Sequence, residues 1–191
     1  AYIAMEYLSG GTLAQRITSV LSRDEALDFA RQTALALAAI HEAGILHRDL
    51  KPANIMLRED ATLSLIDFGL AKQMCLEAAI SGTGQIFGTP HYMSPEQGHA
   101  AAVDARSDIY SLGCIIFEML TGERPFTAST PMGVIYNHSH APRPSLPDEY
   151  ADLQPFVDRM LAPDPRNRVQ TAAEAIHWLA DSIPSATARS G

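Results

Sequence analysis

A chain of 191 residues is long enough to bury one sizeable core, and a single domain is the default expectation. Hydrophobic residues at 47% and charged residues at 19% describe an ordinary globular composition, neither disordered nor membrane-spanning. With 14 basic and 22 acidic residues the formal charge is −8, and no basic stripe offsets it, which excludes a nucleic-acid backbone as the expected main partner.

The first residues lack the charged-then-apolar layout of a signal peptide. Residues 2–7 alternate loosely and are rich in β-formers, and Ser9-Gly10-Gly11 stops this expected strand with turn chemistry. A short helix is expected from Thr12. Ser22 with Glu25 three residues on has the signature of a capping box, opening a helix through Leu27, Ala30, Ala34, Leu37 and Ala38 that Gly44 stops. His41 reads as a helix-end residue without chemistry. Residues 55–57 and 63–66 read as two short strands around the turn Arg58-Glu59-Asp60-Ala61. Residues 70–87 lose periodicity and collect Ser81, Gly82, Thr83 and Gly84, as a mobile loop does.

Residues 104–121 predict a helix that is apolar on nearly all sides and ends at Gly122. Its apolar run, 109–120, is interrupted by Ser111 and Glu118 and is too short for a bilayer, so it reads as a buried helix. On local sequence alone Asp108 can be read as an N-cap. A short helix over 131–138 sits between loops containing Pro125-Phe126 and the Pro-rich run 142–147. Two more helices are expected over 150–161 and 171–181, the second with Thr171 as a cap for Glu174. Residues 184–191 read as the start of a disordered linker after a domain covering 1–183. Cys75 and Cys114 lie in different contexts, against a disulfide framework or zinc site and in keeping with a reducing cytoplasm.

The chemistry concentrates in His47-Arg48-Asp49-Leu50-Lys51-Pro52-Ala53-Asn54, followed by Asp67-Phe68-Gly69. Asp49 offers a carboxylate for a hydroxyl proton, Lys51 a cation, and Asn54 a carbonyl oxygen that can join Asp67 around a hard cation. The order and spacing resemble the catalytic loop and metal-binding motif of protein kinases, H-R-D-L-x-x-x-N then D-F-G. Later segments fall in the same order. Gly88-Thr89-Pro90-His91-Tyr92-Met93-Ser94-Pro95-Glu96 resembles the end of a kinase activation loop, with Ser94 in place of the commoner Ala, a change that reads as mild. Pro163-Asp164-Pro165-Arg166-Asn167-Arg168 matches the family's Asp-Pro-x-x-Arg.

The resemblance implies a mainly α fold with a small β component, the large lobe of a kinase with the hinge before it. It implies Asp49 as catalytic base, Lys51 beside the transferred phosphate, and Asn54 with Asp67 as magnesium ligands. The backbones of Glu6 and Leu8 would meet adenine, and Met56 would lie under the adenine ring, which a plain core methionine also allows. Arg48 would read a phosphorylated activation loop, with Ser81 and Thr83 as phosphorylation candidates and Thr89 as the hydroxyl that contacts Asp49 and Lys51. His47 would pack the loop without moving a proton. Asp108 would brace the catalytic loop's backbone, and Glu96 would pair with Arg168. Lys51 two residues after Asp49 is the family's serine/threonine pattern, and the chain is similar to the family's bacterial members.

The glycine-rich loop, the strand lysine and its glutamate partner would precede residue 1, so the chain reads as a truncated piece of an enzyme using ATP and Mg²⁺ on protein substrates in signal transduction. Alone, it is expected to be inactive. The competing reading is a catalytically inactive kinase-like fragment that binds partners. A cytoplasmic location is expected, with a membrane anchor and dimerisation for autophosphorylation left open in the full-length kinase.

Overall fold

The computed structural model describes residues 8–18, 20–68 and 90–182. The expected strand over 2–7, the expected loop over 70–87 and the expected linker over 184–191 lie outside the described residues. The elements are α1 (Leu13–Arg16), α2 (Arg23–Glu42), β1 (Ile55–Leu57), β2 (Leu63–Leu65), α3 (Pro95–Gly98), α4 (Ala105–Thr121), α5 (Pro131–His140), α6 (Gln154–Met160) and α7 (Ala172–Ser182). The described residues are therefore mainly helical, with one antiparallel pair in which Met56 opposes Ser64.

Local chemistry sets the helix ends. The Thr12 hydroxyl and the Gln15 side chain close a capping box on α1. At α2, Ser22 Oγ accepts the Glu25 N–H at 3.4 Å. The reciprocal half of the expected capping box is not made there, because the Glu25 carboxylate instead takes Arg16 at 2.6 Å. The Asp104 side chain caps α4, Gly122 ends it at φ +74, and Thr171 caps α7 through the Glu174 N–H at 3.0 Å.

The helix expected over 150–161 is split. A 3₁₀ turn covers Asp148–Leu153, Tyr150 leaves helical geometry at φ −117°, and α6 starts only at Gln154. Pro155 explains the break: it has no N–H for the Ala151 carbonyl, which the first turn of a new helix does not require. The helix expected over 131–138 runs on to His140, and the second strand ends one residue early, at Leu65.

The core is built round α4, whose residues Ile109, Tyr110, Leu112, Ile115, Ile116, Met119 and Leu120 are all buried. Helix α2 packs against α4 and α7, and α6 packs on the other part of α4. The last contact needs a glycine, since a Cβ on Gly113 would stand 2.8 Å from the Met160 Cβ.

Arg168 is the largest fully buried side chain. Its Nη1 and Nη2 donate to the two Glu96 oxygens at 2.6 Å each, Nε donates to the Ala162 carbonyl at 2.6 Å, and the remaining donors reach the carbonyls of Arg106 (3.1 Å) and Pro163 (2.9 Å). All five guanidinium N–H groups are used. The cation also lies 4.8 Å from the centre of the Tyr110 ring. Burial alone would raise the Glu96 carboxyl, but the hydrogen bonds from Arg168 and Ser107 outweigh it and hold the group below its usual range. A bidentate pair so enclosed is costly to break from one side. Glu96→Gln or Arg168→Met is expected to lose about 3–5 kcal/mol in urea unfolding, with strong coupling in the double-mutant cycle. Additive losses would contradict the contact.

A second buried polar contact has a pH signature. His138, 2% exposed, shares a hydrogen bond between its Nδ1 and the Tyr110 hydroxyl at 2.8 Å and lies against the Phe126 ring. Burial pushes the imidazole down to about 4. Between that value and the ordinary 6.5 the unfolded chain binds the extra proton, so stability is complete above about pH 6.5 and falls as the pH drops toward 4, by about 3 kcal/mol for this group. Urea midpoints across that window should flatten in His138→Phe relative to the parent.

Candidate active site

Helix α2 delivers the chain to the loop over residues 47–54. Gly44, at φ +74, reverses the direction, and the Ile45 N–H bonds back to the Ile40 carbonyl at 2.9 Å. The loop then meets Asp108, which is 1% exposed and sits in the first turn of α4. Asp108 Oδ2 accepts the His47 N–H at 2.9 Å and Oδ1 the Arg48 N–H at 2.8 Å. Oδ2 also accepts from His41 Nε2 at 2.8 Å. Asp108 is therefore no N-cap, a place that Asp104 fills. His41, expected to be idle, is part of the brace; nothing in its local sequence points to a partner 67 residues away.

These bonds hold an unfavourable backbone. Arg48 has φ +65, a left-handed conformation that costs a non-glycine residue on the order of 1–3 kcal/mol. Beyond it Leu50 is buried as an anchor, and Pro52–Asn54 form one 3₁₀ turn with Pro52 at its first position, where no N–H is needed.

The turn folds Asn54 back onto Asp49. Asn54 Nδ2 donates to the Asp49 carbonyl at 2.8 Å and to Asp49 Oδ2 at 3.0 Å, and Lys51 Nζ donates to the same Oδ2 at 2.9 Å. The carboxylate is thus oriented by an amide and a cation while its side chain keeps about a fifth of its surface in solvent, at 19% exposure. The Asn54 carbonyl accepts the Ile66 N–H at 3.0 Å, so the β1–β2 hairpin returns the chain beside the loop and presents Asp67 there, exposed and at φ +55. His47 is wholly buried with its ring centre 5.1 Å from that of Phe68. Burial lowers its ring against the opposing pull of Asp108 and Asp49, which suits a neutral packing group.

The Gly10–Gly11 backbone lies along β1: Gly10 N–H reaches the Leu57 carbonyl at 3.0 Å and Leu57 N–H the Gly11 carbonyl at 2.8 Å, with Thr12 bridged to Met56. Leu8 and Met56 are each half-buried near this seam. Glu6, Ser81, Thr83 and Thr89 lie outside the described residues.

A family model described as a protein kinase domain matches residues 1–179. The chain belongs to the protein kinase family. Among its curated relatives, the serine/threonine-protein kinase PknB of Mycobacterium tuberculosis is 42% identical over 180 residues, and PknB of Mycobacterium leprae 40% identical over the same length. A probable serine/threonine-protein kinase of Clostridium acetobutylicum is 38% identical over 186 residues. These alignments cover 91–94% of this chain but only 28–29% of the relatives, so the chain spans less than a third of their length. No helix among the described residues of the kinase domain is long and apolar enough to cross a membrane.

Kinases generally use ATP with Mg²⁺, and the donors present fit such an ion. Asn54 commits its amide nitrogen to Asp49, which turns the amide oxygen away from that carboxylate, and Asp67 adds an exposed carboxylate next along the hairpin. No group of three or more His, Cys, Asp or Glu gathers among the described residues. Mg²⁺ needs no such group, since it takes one or two protein oxygens and completes its shell with phosphate and water.

Because Asp108 serves two N–H groups of the kinase loop, Asp108→Asn leaves one of them facing an NH₂. A loss of about 1–3 kcal/mol in urea unfolding is expected. A variant as stable as the parent would show that the brace is dispensable.

Proposed function

We propose that this domain is the catalytic half of a serine/threonine protein kinase that transfers the γ-phosphate of ATP to Ser or Thr hydroxyls of proteins. The observation that carries the reading is the Asp49 carboxylate, held by Lys51 and Asn54 in a loop that Asp108 braces. Asp49 orients the acceptor hydroxyl and takes its proton as the oxygen attacks the γ-phosphorus and the bond to the β-phosphate oxygen breaks. Lys51 then turns its charge toward the transferred phosphoryl group, for which a compact ammonium is suited. Asn54 and Asp67 would hold Mg²⁺, which when bound offsets the negative charge of the phosphates. Leu8 and Glu6 backbones with Met56 would receive adenine, while a small lobe grips the α- and β-phosphates.

In this reading Arg48 pairs with a phosphorylated Ser81 or Thr83 through charge-assisted hydrogen bonds, and Thr89 completes the acceptor site. The substrates are proteins, the domain works on the cytoplasmic side, and dimerisation of the full-length kinase brings activation loops together for autophosphorylation. The resemblance of the chain to bacterial serine/threonine kinases over more than nine-tenths of its length supports the acceptor class.

The test uses a kinase carrying both lobes. Asp49→Asn is expected to lower kcat by roughly 10²-fold or more while ATP binding barely changes, since a positioned base acts on the chemical step. Unimpaired turnover in that variant would remove Asp49 from the role, and a parent without phosphoryl transfer would favour a non-catalytic binding module.

A further inference from the structure

The segment that ends at α3 makes a contact with the catalytic loop that the motif reading did not contain. Gln97 lies on α3 and is 9% exposed. Its Oε1 accepts the Ser94 N–H at 3.1 Å and the Ser94 hydroxyl at 3.1 Å, while Ser94 Oγ accepts the Gln97 N–H to close a capping box. Its Nε2 donates to the Arg48 carbonyl at 2.8 Å. The orientation of the amide is dictated by its partners, because the Ser94 N–H can only donate and the Arg48 carbonyl can only accept.

We infer that Gln97 is a positioning residue for phosphoryl transfer, fixing the peptide that leads into Asp49 and tying it to the turn at Ser94. The inference rests on the kinase reading above. Arg48 sits at φ +65, and its N–H is already held by Asp108. Asp108 alone leaves the following peptide free to rotate about Arg48 ψ, and the Cα of Asp49 moves with that peptide. Gln97 removes the freedom, since the carbonyl it holds belongs to the Arg48–Asp49 peptide. An unfavourable backbone is thereby clamped on both sides, as a strained functional residue must be to persist.

The Ser94 hydroxyl aims this clamp. An alanine at position 94 would offer the Gln97 oxygen no O–H and the Gln97 N–H no acceptor, leaving the amide less firmly turned toward Arg48. The replacement that read as mild is therefore one half of a two-residue device. Asn54 still holds the Asp49 carbonyl and carboxylate when Gln97 is lost, so the effect is a partial misplacement rather than collapse of the site.

Gln97→Glu separates the clamp from the cap. It keeps acceptor oxygens for Ser94 and adds a favourable charge in the first turn of a helix, but as a carboxylate it cannot donate to the Arg48 carbonyl. In a kinase with both lobes, kcat is expected to fall about tenfold with KM for ATP within about twofold of the parent. The deficit relative to the parent at the same pH should shrink as the pH is lowered to about 5, where a protonated carboxyl regains an O–H donor. Gln97→Met, apolar and of similar length, should show the kcat loss without that recovery, and serves if the first variant folds poorly. A kcat equal to the parent's in either folded variant, or a Gln97→Glu deficit that is the same at every pH, would overturn the inference. An inactive parent, or an Asp49→Asn control as fast as the parent, would instead overturn the kinase reading beneath it.

Discussion

Everything at the site depends on one buried carboxylate. Asp108 has two oxygens and accepts three hydrogen bonds, two of them from successive backbone N–H groups of the loop that carries Asp49. Successive N–H groups converge on one carboxylate only where the chain turns sharply, and Arg48 provides that turn by adopting a left-handed backbone. The two N–H groups reach different oxygens of the carboxylate, so both acceptor atoms are used. The brace in turn depends on a helix rigid enough to hold Asp108 still, and α4 supplies it by being enclosed on nearly every side.

Burial of that helix imposes demands far from the loop. Gly113 has no side chain because α6 comes within contact of its backbone. Polar groups carried into the core find partners: Ser111 donates to the Tyr92 carbonyl at 2.7 Å, and Ser107 to Glu96. Arg168 joins the same network from 72 positions beyond Glu96, so the helix that holds the 47–54 loop and the turn that holds α3 share one anchor.

Much of this was legible in the sequence, for reasons that differ by residue. Helices α2, α4 and α7 announce themselves through caps and glycine stops, which are local chemistry, and Ser22, Gly122 and Thr171 act at the termini expected of them. The break before α6 was equally local, written in Pro155, a residue that the helix expected over 150–161 ran through. The residues of the loop over 47–54 were found by their spacing, and the fold brings Asp49, Lys51 and Asn54 together because one 3₁₀ turn joins them. His41 could not be found this way, since its partner is distant and a histidine near a helix end is commonplace. Gln97 left a faint trace, a Ser-x-x-Gln at the start of a helix, but only the packing of α3 against the loop gives its free amide hydrogen a destination.

The clasp between Glu96 and Arg168 spans 72 positions of the sequence. A ribosome adding residues at roughly 5–20 per second needs roughly 4–14 s to travel between them. Through that interval the nascent chain already contains the Asp49 loop and the hairpin, and α4 is added, yet the glutamate has no Arg168 guanidinium to hold it and the turn at Ser94 lacks its far anchor. Vectorial synthesis thus orders the assembly: the loop over 47–54 is laid down before the guanidinium that anchors the turn at Ser94. A half-made lobe lacks this anchor at the turn beside the 47–54 loop, because the guanidinium that completes it is translated 72 positions after its partner.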